Sequence, residues 1–129
     1  MVYAEDIDQK LLDHIAQRAK TLNISNVRPV LGTFTDPKLP TRTVDVAFIN
    51  DVLHHIEDRA GYLKALSTYL KPTGRIVVIE FHPELGGHKT QPELQVTRAQ
   101  GDALLAGAGF KPTEVIDLFT EKWFVVYSK

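Results

Sequence analysis

Two stretches, VDVAFI at 44–49 and IVVI at 76–79, are apolar at nearly every position, and they restrict the fold more than any other feature of the chain. A strand with one face in water alternates apolar and polar side chains, whereas a strand apolar on both faces needs a cover on both. A mostly parallel sheet sandwiched between helices supplies that cover. The remaining periodicity fits this solution. Leu11, Ile15, Ala19 and Leu22 recur at helical spacing, widened by Leu12 and Ala16, with Asp8 placed to cap the helix start. Tyr62, Leu63, Leu66, Tyr69 and Leu70 mark a second helix, ended by the turn Lys71-Pro72-Thr73-Gly74. Thr97 and Gln100 stand at capping-box spacing before a third, which reaches about Ala108 with Gly109 as its C-terminal cap.

Further strands are predicted at Val2-Tyr3-Ala4 and at Val27–Leu31, the latter stopping at Gly32. Two closing runs, Thr113–Phe119 and Trp123–Tyr127, read as an antiparallel hairpin. Stretches 33–43 and 82–92 lack any period and are predicted loops. The predicted order is β-α-β-β-α-β-α-β-β, an α/β sandwich with a mostly parallel sheet and an antiparallel edge. A chain of 129 residues holds one such domain, spanning 1–129.

Composition narrows the function classes. Fifteen basic residues against sixteen acidic ones leave a net charge of −1 and no basic stripe, so neither nucleic acid nor an anionic membrane surface has electrostatic support as a partner. The absence of cysteine excludes disulfides, thiolate metal sites and cysteine nucleophiles, and fits a cytoplasmic location. Apolar runs reach about six residues against the ~20 needed to span a bilayer, and no signal peptide is expected after Met1.

The segment NDVLHHIEDR at 50–59 concentrates titratable groups. On an α-helix adjacent His54 and His55 point about 100° apart and cannot chelate one ion together. The spacing is not that of the helical zinc motif, and no metal ligand set is expected. Asp51 and His55, four apart, are expected to pair on one helical face and raise the histidine's pKa. His54 and His55 are the only catalytic candidates, as general bases, beside an architectural role at the helix start.

Taken together, VYAEDID, NVRPVLGTFTDPKLPTRTVDVAFINDVLHHIED, LKPTGRIVVIEF and LLAGAGF resemble, in order and spacing, the class I S-adenosylmethionine-dependent methyltransferases. The chain looks most like the small-molecule enzymes of the ubiquinone/menaquinone-biosynthesis type. The resemblance implies a Rossmann-like sandwich with S-adenosylmethionine as cofactor and a small-molecule methyl acceptor. It assigns Asp6 to the ribose hydroxyls, Ile7 to the adenine face, Thr33 and Phe34 to the adenine end, and Asn50 and Asp51 to the methionine part. Many relatives carry acidic residues just after the glycine at position 32; here Phe34 and Thr35 stand there, with Asp36 one step further. Glu80, Phe81 and His82 fall on the acceptor side, and Gly86-Gly87 gives the next loop freedom to act as a lid.

The family's glycine-rich turn after its first strand has no counterpart here, and by motif alignment the chain starts at the family's second strand. In a strand order of 3-2-1-4-5-7-6 that strand is central. Its absence implies that the opening strand pairs directly with the 44–49 strand, or that a second copy pairs or swaps, giving a homodimer. The functional expectation is a small-molecule methyltransferase with impaired cofactor binding in this N-terminally truncated form. The alternative is a non-catalytic methyltransferase-like module serving as an oligomeric scaffold or nucleoside-ligand binder.

Overall fold

The computed structural model describes residues 1–129. Its elements run β1 (Val2–Asp6), α1 (Gln9–Thr21), β2 (Val27–Leu31), β3 (Val44–Asn50), α2 (Arg59–Ser67), β4 (Leu70–Phe81), α3 (Arg98–Gly107), β5 (Lys111–Val115) and β6 (Lys122–Ser128). Short 3₁₀ turns occupy Leu53–His55 and Pro92–Leu94. The order of strands and helices is the one the sequence predicts, and the architecture is a Rossmann-like α/β sandwich.

The strands form two sheets. β1 and β2 pair in parallel, from Val2 opposite Val27 to Asp6 opposite Leu31. The other sheet has the order β3-β4-β6-β5, with β3 and β4 parallel and β6 antiparallel to both its neighbours. The predicted direct pairing of the opening strand with the 44–49 strand is therefore corrected: β1 bonds only to β2, and the edges of β1 and β3 remain unpaired. The five-residue β1 already meets α1 on one side, and register with β2 satisfies only one of its backbone edges.

The core fills one face of the larger sheet. Ala47 and Ile49 of β3, Ile76 and Val78 of β4, and Val125 and Tyr127 of β6 pack with Leu63 and Leu66 of α2 and Leu105 of α3. Side chains alternate along β3, so Val46 and Phe48 point the other way, and they are 41% and 63% exposed. The two-sided apolarity of this strand thus has a cover on one face only.

Local signals explain the helix ends. Asp8 accepts from the Lys10 backbone N–H at α1, and Thr97 and Gln100 complete a reciprocal capping box at α3. α2 ends at Ser67, short of the predicted Tyr69 and Leu70, which instead lead into β4. Residues 71–74, predicted as a turn, make a bulge in the ladder: Val44 faces Leu70 while Val46 faces Arg75. The closing hairpin starts two residues earlier than predicted, at Lys111, and its first strand stops at Val115.

No element crosses from one sheet to the other. Apolar packing of Leu39 against the core is joined by two tyrosine hydroxyls: Tyr62 of α2 donates to Glu5 Oε2 at 2.9 Å, and Tyr69 donates to Asp36 Oδ1 at 2.8 Å. No helix is long and apolar enough to cross a membrane.

Candidate functional site

The chemistry-bearing residues gather at the carboxyl ends of the parallel strands, where open α/β sheets bind their ligands. At the end of β1, Asp6 Oδ1 accepts the Asp8 backbone N–H at 2.9 Å, an Asx turn that launches α1. Its second carboxylate oxygen makes no hydrogen bond within the chain. Ile7 follows on the surface, 47% exposed.

β2 ends at Gly32, whose N–H donates to the Asp6 carbonyl at 3.0 Å. A Cβ at position 32 would lie 1.9 Å from Glu5 Oε1 and 3.2 Å from the Pro37 Cα, so any side chain here would displace the Glu5 carboxylate and press on the loop that folds back against β1. That loop is a tight turn closed by Thr33, whose hydroxyl accepts from the Asp36 N–H at 3.0 Å. Thr33 is thereby committed to the turn, while Phe34 projects from it with 75% exposure. Asp36 is committed too: it accepts from the Lys38 N–H and the Tyr69 hydroxyl, both at 2.8 Å, and these bonds hold its pKa below the usual carboxylate value.

Beyond β3, Asn50 is exposed and Asp51 takes a left-handed backbone with φ of 55°. Asp51 does not pair with His55. Its Oδ2 meets Lys122 Nζ at 2.5 Å, and its Oδ1 is buried with no partner. Lys122 lies 4.5 Å from the Phe81 ring centroid, a cation–π contact that fixes the ammonium. The reason for the misplaced pairing is local: a left-handed residue followed by a 3₁₀ turn destroys the α-helical spacing of four that the expectation assumed.

The same turn reorganises the histidines. His54 is buried, and Glu80 of β4 holds it twice, through Nδ1 at 2.7 Å and through its backbone N–H at 3.1 Å. Arg59 ties the turn down from the other side, donating to the carbonyls of Leu53, His54 and Glu93. The rings of His54 and His55 are 4.1 Å apart, and His88, from the loop after β4, approaches both at 5.3 and 5.8 Å. The His55 pKa is lowered, first by partial burial and then by the neighbouring His54 and His88, opposite to the predicted rise. Sequence reasoning missed Glu80 as the histidine's anchor, and His88 and Lys122 altogether. Long-range pairing carries no local signal, so only the invariance of such residues among relatives could have pointed to them.

The profile of the family described as "Methyltransferase domain" matches residues 1–78. The chain belongs to this family and has the class I S-adenosylmethionine-dependent methyltransferase fold. A methyltransferase dependent on that cofactor from Aquifex aeolicus superposes with a TM-score of 0.87 at 21% identity, over 98% of this chain and 67% of its own. A protein from Pyrococcus horikoshii OT3 gives a TM-score of 0.80 at 18% identity, over 98% and 70%. An O-methyltransferase from neocarzinostatin biosynthesis, solved with S-adenosyl-L-homocysteine and 1,4-dihydroxy-2-naphthoic acid, gives 0.76 at 20% identity, over 91% and 38%. No curated protein matches the chain in sequence.

Proposed function

We propose that the chain, as one partial methyltransferase-like domain over 1–129, is a cytoplasmic S-adenosylmethionine-dependent methyltransferase unit for a small molecule, with weakened cofactor affinity. The observation that carries this reading is the uncommitted oxygen of Asp6 at the end of β1, beside exposed Ile7 and Phe34. A carboxylate so placed accepts from the hydroxyls of a ribose, and the two apolar side chains suit the faces of a purine. At the other end, the buried, unpartnered Oδ1 of Asp51 suits an ammonium donor, and Asn50 stands beside it.

These residues fit the two ends of the cofactor, whose sulfonium supplies an already activated methyl group. The chain's own residues need only bind, orient and exclude water. Asp6 and Asp51 hold polar ends, and Thr33 keeps the Phe34 turn closed. His54, with Nδ1 held by Glu80, keeps its other ring nitrogen for a proton from an acceptor hydroxyl, with His55 as the second candidate.

The unpaired edges of β1 and β3 favour a second reading, a scaffold or nucleoside binder assembled as a homodimer, strand-swapped in its most intimate form. Calorimetric titration with S-adenosylhomocysteine separates the two. Binding in the micromolar to millimolar range that weakens on Asp6→Ala supports the enzyme reading; silence at millimolar ligand leaves the scaffold.

A further inference from the structure

Three histidines from two distant segments converge beside the strand ends. The ligating nitrogens of His54, His55 and His88 all lie within 4.8 Å of one another. A tetrahedral zinc-class ion with bonds of about 2.0–2.1 Å holds its nitrogens about 3.4 Å apart, so the cluster needs only a modest closure. His55 is exposed and free to make it, while His54 and His88 are held in place by their neighbours.

The hydrogen bonds around the cluster leave one nitrogen free on each of two rings. His54 Nδ1 is engaged by Glu80 Oε2 at 2.7 Å and His88 Nδ1 by Gln91 Oε1 at 2.8 Å. An acceptor on Nδ1 fixes the proton there and leaves Nε2 of each ring with its lone pair. A carboxylate or carbonyl behind the ring is the support that histidine ligands of metals carry, and it raises their basicity. Glu80 is 1% exposed, so its orientation is fixed by packing. Gln95 donates to the carbonyls of His88 and Lys89 at 2.7 and 3.1 Å, which pins the loop that delivers His88. A cavity of about 20 Å³, room for one water, adjoins His54, Glu80 and His88 on the side away from His55.

We infer that His54, His55 and His88 form a binding site for one divalent transition cation of the zinc class. Three imidazoles leave a fourth position open to water or to an oxygen of a small ligand. An ion there ties the 82–95 loop to the turn after β3. The inference stands on the histidine geometry and not on cofactor binding, so the two are tested separately; an ion on His54 Nε2 occupies the lone pair that a base would use, so at that atom ion binding and proton abstraction exclude one another.

The test uses the whole chain without a histidine tag, titrated with Zn²⁺ by calorimetry and with Co²⁺ by visible absorption. One ion per chain, with the intense visible bands of tetrahedral Co²⁺, is expected. His55→Ala and His88→Ala should each weaken binding at least ~10-fold, and Glu80→Gln by ~10–100-fold, the range found for carboxylates behind metal-bound histidines. His14→Ala, on exposed α1, should leave it unchanged. His55 and His88 lie outside the core, so circular dichroism should show both variants folded; if Glu80→Gln unfolds, these two decide. No binding in millimolar metal, or affinity indifferent to both His55→Ala and His88→Ala, overturns the site.

Discussion

The Tyr62 hydroxyl donates to Glu5 Oε2 at 2.9 Å across 57 residues of sequence, joining α2 to the strand that opens the chain. The carboxylate it meets is half-buried, and its other oxygen, Oε1, has no partner. Burial raises the Glu5 pKa above its ordinary value, with Asp6 and Asp36 adding to the rise and the tyrosine opposing it. Burial, and after it the same carboxylate, drives the Tyr62 pKa upward. Tyr62→Phe leaves both oxygens of Glu5 unsatisfied. A loss of about 1–3 kcal/mol is expected in urea unfolding.

The raised pKa also has a sign in pH. A carboxyl whose folded pKa exceeds its unfolded one contributes stability that is fully present below about 4.5, its ordinary value, and disappears as pH rises through the folded value. Glu5→Gln removes this titration. The variant's stability relative to the natural chain should therefore increase from pH 4.5 upward and level off once Glu5 is ionised in both states. Denaturation midpoints measured at several pH values for the two proteins check it, and a difference independent of pH would contradict it.

Gly101 in α3 faces Trp123 of β6. A Cβ there would stand 2.6 Å from the indole Cη2, and the ring is buried with its Nε1–H bonded to the Val96 carbonyl at 3.0 Å. The indole cannot retreat without giving up that bond. Gly101→Ala, usually favourable in a helix, is expected to destabilise by about 1–3 kcal/mol and to perturb tryptophan fluorescence.

Asp6→Ala removes the uncommitted carboxylate oxygen of Asp6 as well as the turn that starts α1. Asp6→Asn keeps the turn acceptor and loses only the charge. If the ribose reading holds, both variants should bind S-adenosylhomocysteine at least ~10-fold more weakly, as loss of a charged hydrogen bond predicts. Unchanged affinity in Asp6→Asn with loss in Asp6→Ala would make Asp6 a turn residue alone.

The sequence made the elements legible where the signal was local. The apolar runs marked β3 and β4, Asp8 marked the start of α1, and Thr97 with Gln100 marked α3. What it could not expose was set by distance and by one backbone angle. His88 lies 34 positions beyond His54, so nothing in NDVLHHIEDR announces it. The left-handed Asp51 turns what would be a helix into a 3₁₀ turn, which sends its carboxylate to Lys122 and brings adjacent rings together. Of the cofactor residues expected from resemblance, Asp6, Ile7 and Phe34 are open to a ligand, whereas Thr33 is spent on its own turn.

The division of the strands into two sheets also bears on how the molecule opens. β1, α1 and β2 are consecutive in sequence and satisfy one another, while the larger sheet owns the continuous core. Such parts behave as separate cooperative units, with free energies of opening that need not match. The amides of the first thirty or so residues should exchange with solvent well before those of β4 and β6.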